Sequence, residues 1–331
     1  MSTIEAPILI ASSSIDEHAY GPVRHELESR GFPVVVYRTD RVLDGQENIH
    51  VNIGSGGSLT VEYGGVNITP DVIGAAWFRK VGSFALPNNA GDKARELYVR
   101  SEIGYMNEAL WGSYPEEKWL NAPSKIRLAD QKIGQLITAR ELGFSIPETV
   151  ITGSWGDVET DLLNGDVGQI VAKTIRGVIS RGGNMEAMYS TPLGINDIAM
   201  LRPNTTPFPG IYQPLIAKKK EWRTTVVGEQ VFSAAIYTDD TAKDDWRILQ
   251  QSDAVRFEQE DLPDTESQKC LEYLAKMGLK FGAFDFIQTP DDEIIFLECN
   301  PNGQYGWLEK QLGFPISRAI SDELVAISEQ K

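Results

Sequence analysis

The sequence predicts a mixed α/β (α+β) protein in three parts, the last of them built on antiparallel sheet. Residues 7–38 follow a strand–helix–strand pattern, which is typical of a parallel sheet. The stretch 113–123 contains two prolines and a charge cluster, which indicates a boundary. Residues 222–237 and 283–300 each have the pattern of a hairpin. Since 331 residues are too many for one small domain, we expect several. The predicted parts are 1–118, 119–210 and 211–331.

The N-terminal part is predicted to open with a buried strand, because residues 7–11 form an apolar run. A helix at 16–30 follows and ends at Gly31, and a second strand occupies 33–38. This order favours a small parallel sheet covered by a helix. The other predicted elements here are a hairpin of segments 49–53 and 58–63, a strand at 74–80 and a helix at about 92–112.

The central part is predicted to begin with one amphipathic helix, for which Ser124 is a suitable N-cap and Gly143 the end. Its apolar positions at helical spacing are Ile126, Ala129, Ile133, Leu136, Ile137 and Ala139. The stretch 176–184 is rich in Gly and Arg and is predicted to be a loop. The remaining elements are strands near 147–152, 169–175 and 211–216, a helix near 156–164 and a Pro-rich connector at 202–210.

The last part is predicted to contain two hairpins and two helices. The first hairpin turns at Gly228-Glu229. The second joins 283–289 to 293–300 through the turn Pro290-Asp291-Asp292, and the helices are expected at 264–278 and about 317–329.

The composition excludes several classes of function. The net charge of −16 argues against a general nucleic-acid binder, which would need a basic surface. The two cysteines, Cys270 and Cys299, lack metal-ligand spacing, so we expect no disulfide framework and no zinc site, and a reducing cytoplasm fits best. All three histidines lie in the first 50 residues, so later chemistry must use carboxylates, amides, Lys and Arg. We expect no membrane span and no signal peptide.

The last hairpin carries the most informative group of polar residues. Glu298 and Asn300 are two apart and so share one face of a strand. A turn centred on 291–292, or a four-residue loop at 290–293, places Asp285 directly opposite Glu298. Opposed carboxylates among apolar neighbours repel each other unless a cation lies between them. Three oxygen ligands without His or Cys indicate Mg²⁺ completed by phosphate oxygens. The alternative is a surface hairpin with solvated carboxylates.

Phosphates would also need positive groups. Lys173 stands in the middle of an apolar strand, where an unpaired lysine would be costly. Lys132 lies in an amphipathic helix and could instead be solvated. The loop 176–184 could present backbone N–H groups and arginines to an anion. The chain has neither a P-loop motif nor a GxGxxG after its first strand, which argues against a P-loop ATPase and a standard dinucleotide fold.

This order of features resembles the ATP-grasp ligases, which have a lysine-bearing helix, a lysine-bearing strand with a Gly-rich loop, a hinge strand and a last Asp…Glu-x-Asn hairpin. Longer segments are similar to the microviridin-type graspetide synthetases, which are ATP-grasp maturases of ribosomal peptides. These segments are AWFRK (76–80), WLNAPSKIRLADQKIGQLITARELGFSIPETVIT (119–152), EWRTTVVGEQVFSAAI (221–236), DWR (245–247) and GAFDFIQTPDDEIIFLECNPNGQYGWLE (282–309).

The resemblance implies site residues. Asp285, Glu298 and Asn300 would hold Mg²⁺, and Lys132 and Lys173 would contact ATP phosphates. The hinge under the adenine would include Gln213, Leu215 and Ile216, although Gln213-Pro214-Leu215 departs from the acidic hinge of many relatives. Arg223 and Arg247 would face the γ-phosphate and the acyl phosphate as catalytic residues, and Glu221 stands where an Asp is common.

The implied activity is ATP- and Mg²⁺-dependent activation of Asp or Glu side chains in a precursor peptide, followed by ring closure with Ser, Thr or Lys side chains. The implied partners are a leader-plus-acidic-core peptide and a second copy of the chain in a homodimer, with no nucleic acid or membrane. Two alternatives remain: a RimK-like ligase that adds a free amino acid to a carboxylate, and a non-catalytic nucleotide-binding protein.

Two other groups of basic residues have two interpretations each. Arg79 and Lys80 end a strand where α/β sites are common, so either a substrate role or a structural one is possible. Lys218, Lys219 and Lys220 form either a solvated loop or a basic rim that holds an acidic peptide. Cys299 is predicted to face the core, because alternation turns it away from Glu298 and Asn300.

Overall fold

The N-terminal part contains a parallel sheet with the strand order β2-β1-β6. The computed structural model describes residues 6–81, 93–163, 169–175, 178–181, 184–187, 191–193, 209–239 and 254–330. The sheet consists of β1 (Ile8–Ser12), β2 (Val34–Arg38) and β6 (Ala75–Phe78). β1 is buried throughout because it lies between the other two, as its apolar sequence requires. Helix α1 (Glu17–Ser29) connects β1 to β2 and is followed by Gly31 at φ 87°, as predicted.

The inserted hairpin is confirmed and carries one further short strand. It consists of β3 (Ile49–Ile53), β4 (Leu59–Tyr63) and β5 (Val66–Asn67), in that order in an antiparallel sheet. The short helix α2 (Thr39–Leu43), which the sequence did not predict, and the predicted long helix α3 (Lys93–Gly112) complete this part.

The helix predicted from Ser124 to Gly143 is wrong in one respect, because it is two helices. These are α4 (Pro123–Ala129) and α5 (Lys132–Glu141). Pro123 occupies the first helical position, which its fixed φ favours, so Ser124 lies inside α4 and donates its hydroxyl to Glu116 Oε1 at 2.8 Å instead of capping. At the break, Gln135 Nε2 donates to the carbonyl of Ala129 at 2.6 Å. A side chain therefore satisfies a carbonyl next to the break.

The central sheet is antiparallel and has the order β11-β8-β12-β7. Its strands are β7 (Val150–Thr152), β8 (Ile170–Lys173), β11 (Thr191–Leu193) and β12 (Gly210–Pro214), with helix α6 (Trp155–Val158) beside them. Between them, β9 (Val178–Arg181) and β10 (Asn184–Ala187) pair as a hairpin. The predicted loop at 176–184 is therefore largely strand, and the predicted connector 202–210 lies mostly outside the described residues.

The C-terminal part is an antiparallel sheet with the order β15-β14-β13-β16-β17. Its strands are β13 (Lys220–Val227), β14 (Gln230–Thr238), β15 (Val255–Gln259), β16 (Phe281–Gln288) and β17 (Ile294–Asn300). Its helices are α7 (Asp264–Met277), α8 (Gly306–Leu312) and α9 (Ile316–Glu329). Both predicted hairpins and both predicted helices are confirmed, and the first hairpin turns at Gly228 with φ 57°.

The two faces of this sheet pack against different cores. Phe284, Phe286 and Phe296 belong to a cluster that includes Tyr273 and Leu274 of α7. Phe281 belongs to another cluster, which joins α9 to residues of β1, α1 and β6. The C-terminal sheet is thereby fixed against the N-terminal part. Within the described residues, no helix is long and apolar enough to span a membrane.

Candidate active site

The predicted opposition of Asp285 and Glu298 across the last hairpin is confirmed. The pairing next to the turn differs from the prediction by one residue. The predicted turn would set Phe286 opposite Leu297, whereas Phe286 pairs with Phe296 and Thr289 N donates to Glu293 O at 2.9 Å. A β-bulge between these pairs and the Asp285–Glu298 pair takes up one extra residue, Leu297, and restores the predicted register.

Asp285 is held by a buried arginine from the neighbouring strand. Arg223 on β13 pairs directly with Asp285 on β16, so the two side chains leave the same face of the sheet. Arg223 Nη1 lies 2.9 Å from both carboxylate oxygens, and Nη2 donates to the carbonyl of Gln304 at 3.0 Å. The arginine is 8% exposed, so its charge is balanced by a partner rather than by water.

Glu298 is balanced by a second of the predicted cations, Lys132. The ammonium of Lys132 forms an ion pair with Glu298 Oε2. Asn300 joins the two carboxylates, because its Nδ2 donates to Glu298 Oε1 at 3.0 Å and lies 3.4 Å from Asp285 Oδ2. The structure thus brings five of the predicted site residues into one hydrogen-bonded network.

This network fits a Mg²⁺ site completed by a ligand. Two carboxylates and an amide present hard oxygen donors, and Mg²⁺ uses one or two carboxylates together with water and phosphate oxygens. Among the described residues, no group of three or more His, Cys, Asp or Glu is arranged to hold a metal by itself. The side-chain amide of Asn300 can turn its oxygen towards a cation, since its two ends have the same shape.

Lys132 is placed by Gln135, a residue that the sequence analysis did not single out for the site. Lys132 is the first residue of α5, directly after the break from α4. Gln135 is 1% exposed; its Nε2 donates to the carbonyl of Cys299 at 2.7 Å, and its Oε1 accepts from the Cys299 N–H at 3.3 Å. Helix α5 is therefore bound to β17 one residue from Glu298. No local sequence pattern identifies this contact, because Gln135 and Cys299 are 164 residues apart.

Cys299 faces the core, as predicted. It is fully buried, and burial raises the pKa of its thiol well above the usual value, so it stays neutral. It packs near Phe284 and Phe296 on the face of the sheet opposite Asp285.

A second polar group involves the predicted hinge. Lys173, at the end of β8, donates from Nζ to Gln213 Oε1 at 2.8 Å, and Gln213 Nε2 donates to Thr149 Oγ1 at 3.0 Å. Gln213 is buried, which explains why both ends of its amide are satisfied. The hinge strand is shorter than predicted, because β12 ends at Pro214. Leu215 and Ile216 follow it and are partly buried.

The remaining predicted residues lie apart from the network or outside the described residues. Glu221 forms an ion pair with Lys218. Lys219 pairs with Asp292 at 2.6 Å, and Lys220 pairs with Glu260 and lies 4.2 Å from the Trp222 ring. These lysines therefore form neither a purely solvated loop nor an unpaired basic rim. Arg247 lies outside the described residues.

Arg79 has a structural role that the sequence left open. Its side chain is fully buried and its Nε lies 2.8 Å from Asp16 Oδ2. Its Nη1 donates to the carbonyls of Asn302 and Gly303 at 2.9 Å each, and its Nη2 donates to Gln304 Oε1 at 2.7 Å. The loop after β17 is thus held by Arg79 on one side and by Arg223 on the other. After Gln135, Gln304 is the second residue near the site that the sequence did not predict, and its side chain contacts Arg79.

Comparisons with solved structures identify the fold. The macrocyclase MdnC from Microcystis aeruginosa MRC, bound with precursor peptide MdnA, is 28% identical, with a TM-score of 0.83 over 96% of this chain and 99% of that one. A RiPP-associated ATP-grasp ligase from Chryseobacterium gregarium, in complex with ADP and a leader and core peptide, is 25% identical, with a TM-score of 0.79 over 97% of this chain and 96% of that one.

PsnB, an ATP-grasp ligase complexed with a phosphomimetic variant of its minimal precursor, Mg and ADP, has a TM-score of 0.79 over 99% of this chain and 100% of that one. At 20% identity, that likeness concerns the fold alone. Neither a family model nor a curated protein matches the sequence. The structural comparisons confirm the predicted ATP-grasp fold class and the predicted resemblance to peptide macrocyclases.

Proposed function

We propose that this chain is an ATP- and Mg²⁺-dependent ligase that closes macrocyclic esters or amides in a ribosomally made precursor peptide. One observation carries the proposal: Asp285, Glu298 and Asn300 form a single oxygen-rich group, flanked by Arg223 and Lys132. The ATP-grasp ligase class, with ATP and Mg²⁺ as cofactors, agrees with the relatives complexed with ADP, one of them also with Mg.

The proposed chemistry has two steps. A side-chain carboxylate of the peptide attacks the γ-phosphorus of ATP, the bond to the ADP oxygen breaks, and an acyl phosphate forms. A hydroxyl or amine of the same peptide then attacks the acyl carbon, inorganic phosphate leaves, and the nucleophile loses its proton. When bound, Mg²⁺ neutralises the phosphate charge.

The protein's own residues supply position and charge. Asp285, Glu298 and Asn300 hold the cation, and Lys132 and Lys173 bind phosphate oxygens. Arg223 and Arg247 stabilise the charge of the transferred phosphoryl group and of the acyl phosphate. Gln213, Leu215 and Ile216 form the nucleotide hinge, and Glu221 also contributes to nucleotide binding. The protein provides no nucleophile, which fits a region whose described cysteines are both buried.

The proposed partner is a precursor peptide with a leader and an acidic core. Relatives with the same fold have been solved with precursor, leader and core peptides, which supports this choice. The proposal includes microviridin-type cross-links, a homodimer and a cytoplasmic location. The two described cysteines are free, as a reducing compartment would keep them.

The test is co-expression with the acidic peptides encoded beside the gene, followed by mass spectrometry of the peptides. We expect the loss of one water per ring with the wild-type chain. The Asp285→Asn and Glu298→Gln variants should lower ring formation and ADP release by about a hundredfold, because each removes a charged ligand.

Asp292→Asn is the matched control, because Asp292 lies on the same hairpin but is exposed and paired with Lys219. It should leave ring formation unchanged. ADP release with free glutamate and no mass loss in any peptide would favour the amino-acid ligase. Full ATP turnover in both site variants would contradict the assignment of the cation ligands.

A further inference from the structure

Lys80 stands at the carboxyl end of β6, at the edge of the parallel sheet where α/β proteins commonly bind ligands. It follows Arg79 directly, and Arg79 is bound to the loop that also contacts Arg223. Lys80 thus lies where the N-terminal sheet meets the network of Asp285 and Glu298.

The backbone of Lys80 is in an unfavourable conformation. Its φ is 45°, in the left-handed region where a Cβ atom crowds the chain. Within the described residues, the other non-glycine residue with positive φ is Asp292, which lies in the tight turn of the last hairpin. Glycine would adopt the Lys80 conformation without this crowding, so a lysine here indicates a role for the side chain.

The ammonium group of Lys80 makes no hydrogen bond or ion pair with any described residue, although the residue is half-buried. Burial lowers its pKa, and the positive charges of Arg79 and Arg223 lower it further, against the opposing effect of Asp16. Both arginines already have carboxylate partners, Asp16 and Asp285. An anion entering this region would therefore meet a positive group that has no partner in the described structure.

Lys118, in the same part of the chain, has the contacts of a structural lysine, which Lys80 lacks among the described residues. Lys118 donates from Nζ to the carbonyls of Pro70 and Ile73, at 2.7 Å each, and so joins two segments. Lys80 joins nothing among the described residues, and its neighbour Arg79 already makes the contacts between the parts.

We propose that Lys80 binds the side-chain carboxylate that the enzyme activates. The inference rests on the proposed function and deepens it, because it names the residue that recognises the acidic side chain. The ammonium pairs with a carboxylate oxygen of the peptide Asp or Glu and holds the other oxygen free to attack phosphorus. This role would favour acidic over amide side chains at the point of activation.

The test uses two variants that separate charge from backbone strain. Lys80→Met keeps most of the length of the side chain and removes its charge, whereas Lys80→Gly removes the side chain and the backbone strain. Both should raise the KM for the precursor peptide at least about tenfold, as loss of a charged hydrogen bond does, and leave the KM for ATP within about twofold. Lys80→Gly should melt at the wild-type temperature or above it.

Lys276→Met is the matched control, because Lys276 is an exposed lysine paired with Glu141 and has no proposed role in the site. It should change neither KM. If the wild type forms rings and the Lys80 variants keep its peptide KM, the carboxylate role is wrong while the proposed function stands. Lower melting temperatures in both Lys80 variants, with an unchanged peptide KM, would indicate a structural role and also overturn the inference.

A binding readout tests Lys80 even if the wild type forms no ring. Acetylation of Lys80 by acetic anhydride, followed by mass spectrometry, should slow in the presence of the acidic core peptide. It should not slow with the same peptide carrying Asn and Gln in place of Asp and Glu. Equal labelling with both peptides would overturn the carboxylate role.

Discussion

Arg223 is a nearly buried cation, and its neighbours leave little space for additional atoms beside it. Asp285 accepts two hydrogen bonds from its Nη1, and the Gln304 carbonyl accepts one from Nη2. Its Nε is buried and has no partner among the described residues. The guanidinium therefore fits closely into a space formed by β16 and the loop after β17, which makes that loop sensitive to added volume.

Gly303 lies at the closest point of this contact. A Cβ atom there would lie 2.4 Å from Ala283 Cβ and 2.8 Å from Arg223 Nη2. Gly303→Ala should therefore lower the free energy of unfolding by about 1–3 kcal/mol, and displacement of Arg223 should slow ATP turnover as well. Thermal or urea unfolding measures the first effect, and ADP release the second.

Gly306→Ala provides the control for Gly303→Ala. A Cβ at Gly306 would lie 3.8 Å from the carbonyl oxygen of His18, which is ordinary van der Waals contact. Because Gly306 begins helix α8, alanine should leave stability unchanged or raise it by about 0.5–1 kcal/mol. Equal stability of the two variants would contradict the tight packing around Arg223.

At the scale of elements, the last hairpin places the two carboxylates opposite each other through a bulge. The register near the turn would set Asp285 against Leu297 if it continued unbroken, because Phe286 pairs with Phe296. The bulge at Leu297 shifts the pairing by one residue and brings Glu298 to that position. A bulge also increases local twist, and Glu298, directly after this bulge, forms its ion pair with Lys132 at the start of α5.

Deletion of Leu297 tests the role of the bulge. The pairs on both sides of it would be retained in a regular hairpin, so we expect the protein to fold with a modest loss of melting temperature. ADP release should fall at least about tenfold, because the local twist that aims Glu298 is lost. Deletion of Cys299 is the control, since it would turn Asn300 towards the core and should abolish folding. Wild-type ADP release after the Leu297 deletion would contradict this account.

The elements were largely predictable because their patterns are local. Apolar runs, alternation and glycines after helices placed the strands and helices of all three parts. The opposition of Asp285 and Glu298 was predicted correctly because the bulge at Leu297 offsets the one-residue error in the turn. The site was less predictable where contacts are long-range. Gln135 bonds to Cys299, and Arg79 to Asn302 and Gly303, so neither pairing has a local pattern. The break between α4 and α5 was missed because both helices have the same apolar periodicity.

At the scale of the molecule, the N- and C-terminal parts share one core. Ile8, Tyr20 and Trp77 pack in the same cluster as Phe281 and Leu324. The buried pair of Arg79 and Asp16 adds a polar contact from the N-terminal sheet to the loop after β17. Residues of the first and last predicted parts therefore pack in one core, and the site network and Lys80 depend on both.

The overall charge of −16 does not describe the site. Lys132, Arg223, Arg79 and Lys80 lie in or beside the network, and the first three are paired with carboxylates. Such a local concentration of positive groups can bind phosphates and an acidic peptide on an acidic protein, because a cleft focuses the field of nearby charges.

The central claim is that this protein couples ATP cleavage to the closure of peptide rings. The most direct measurement incubates the purified chain with Mg²⁺, ATP and a precursor peptide, and compares ADP released with water lost from the peptide by mass. We expect a ratio of about one ADP to each water, because each ring requires one acyl phosphate. ADP release without any mass loss, or mass loss that persists when ATP is omitted, would contradict the account.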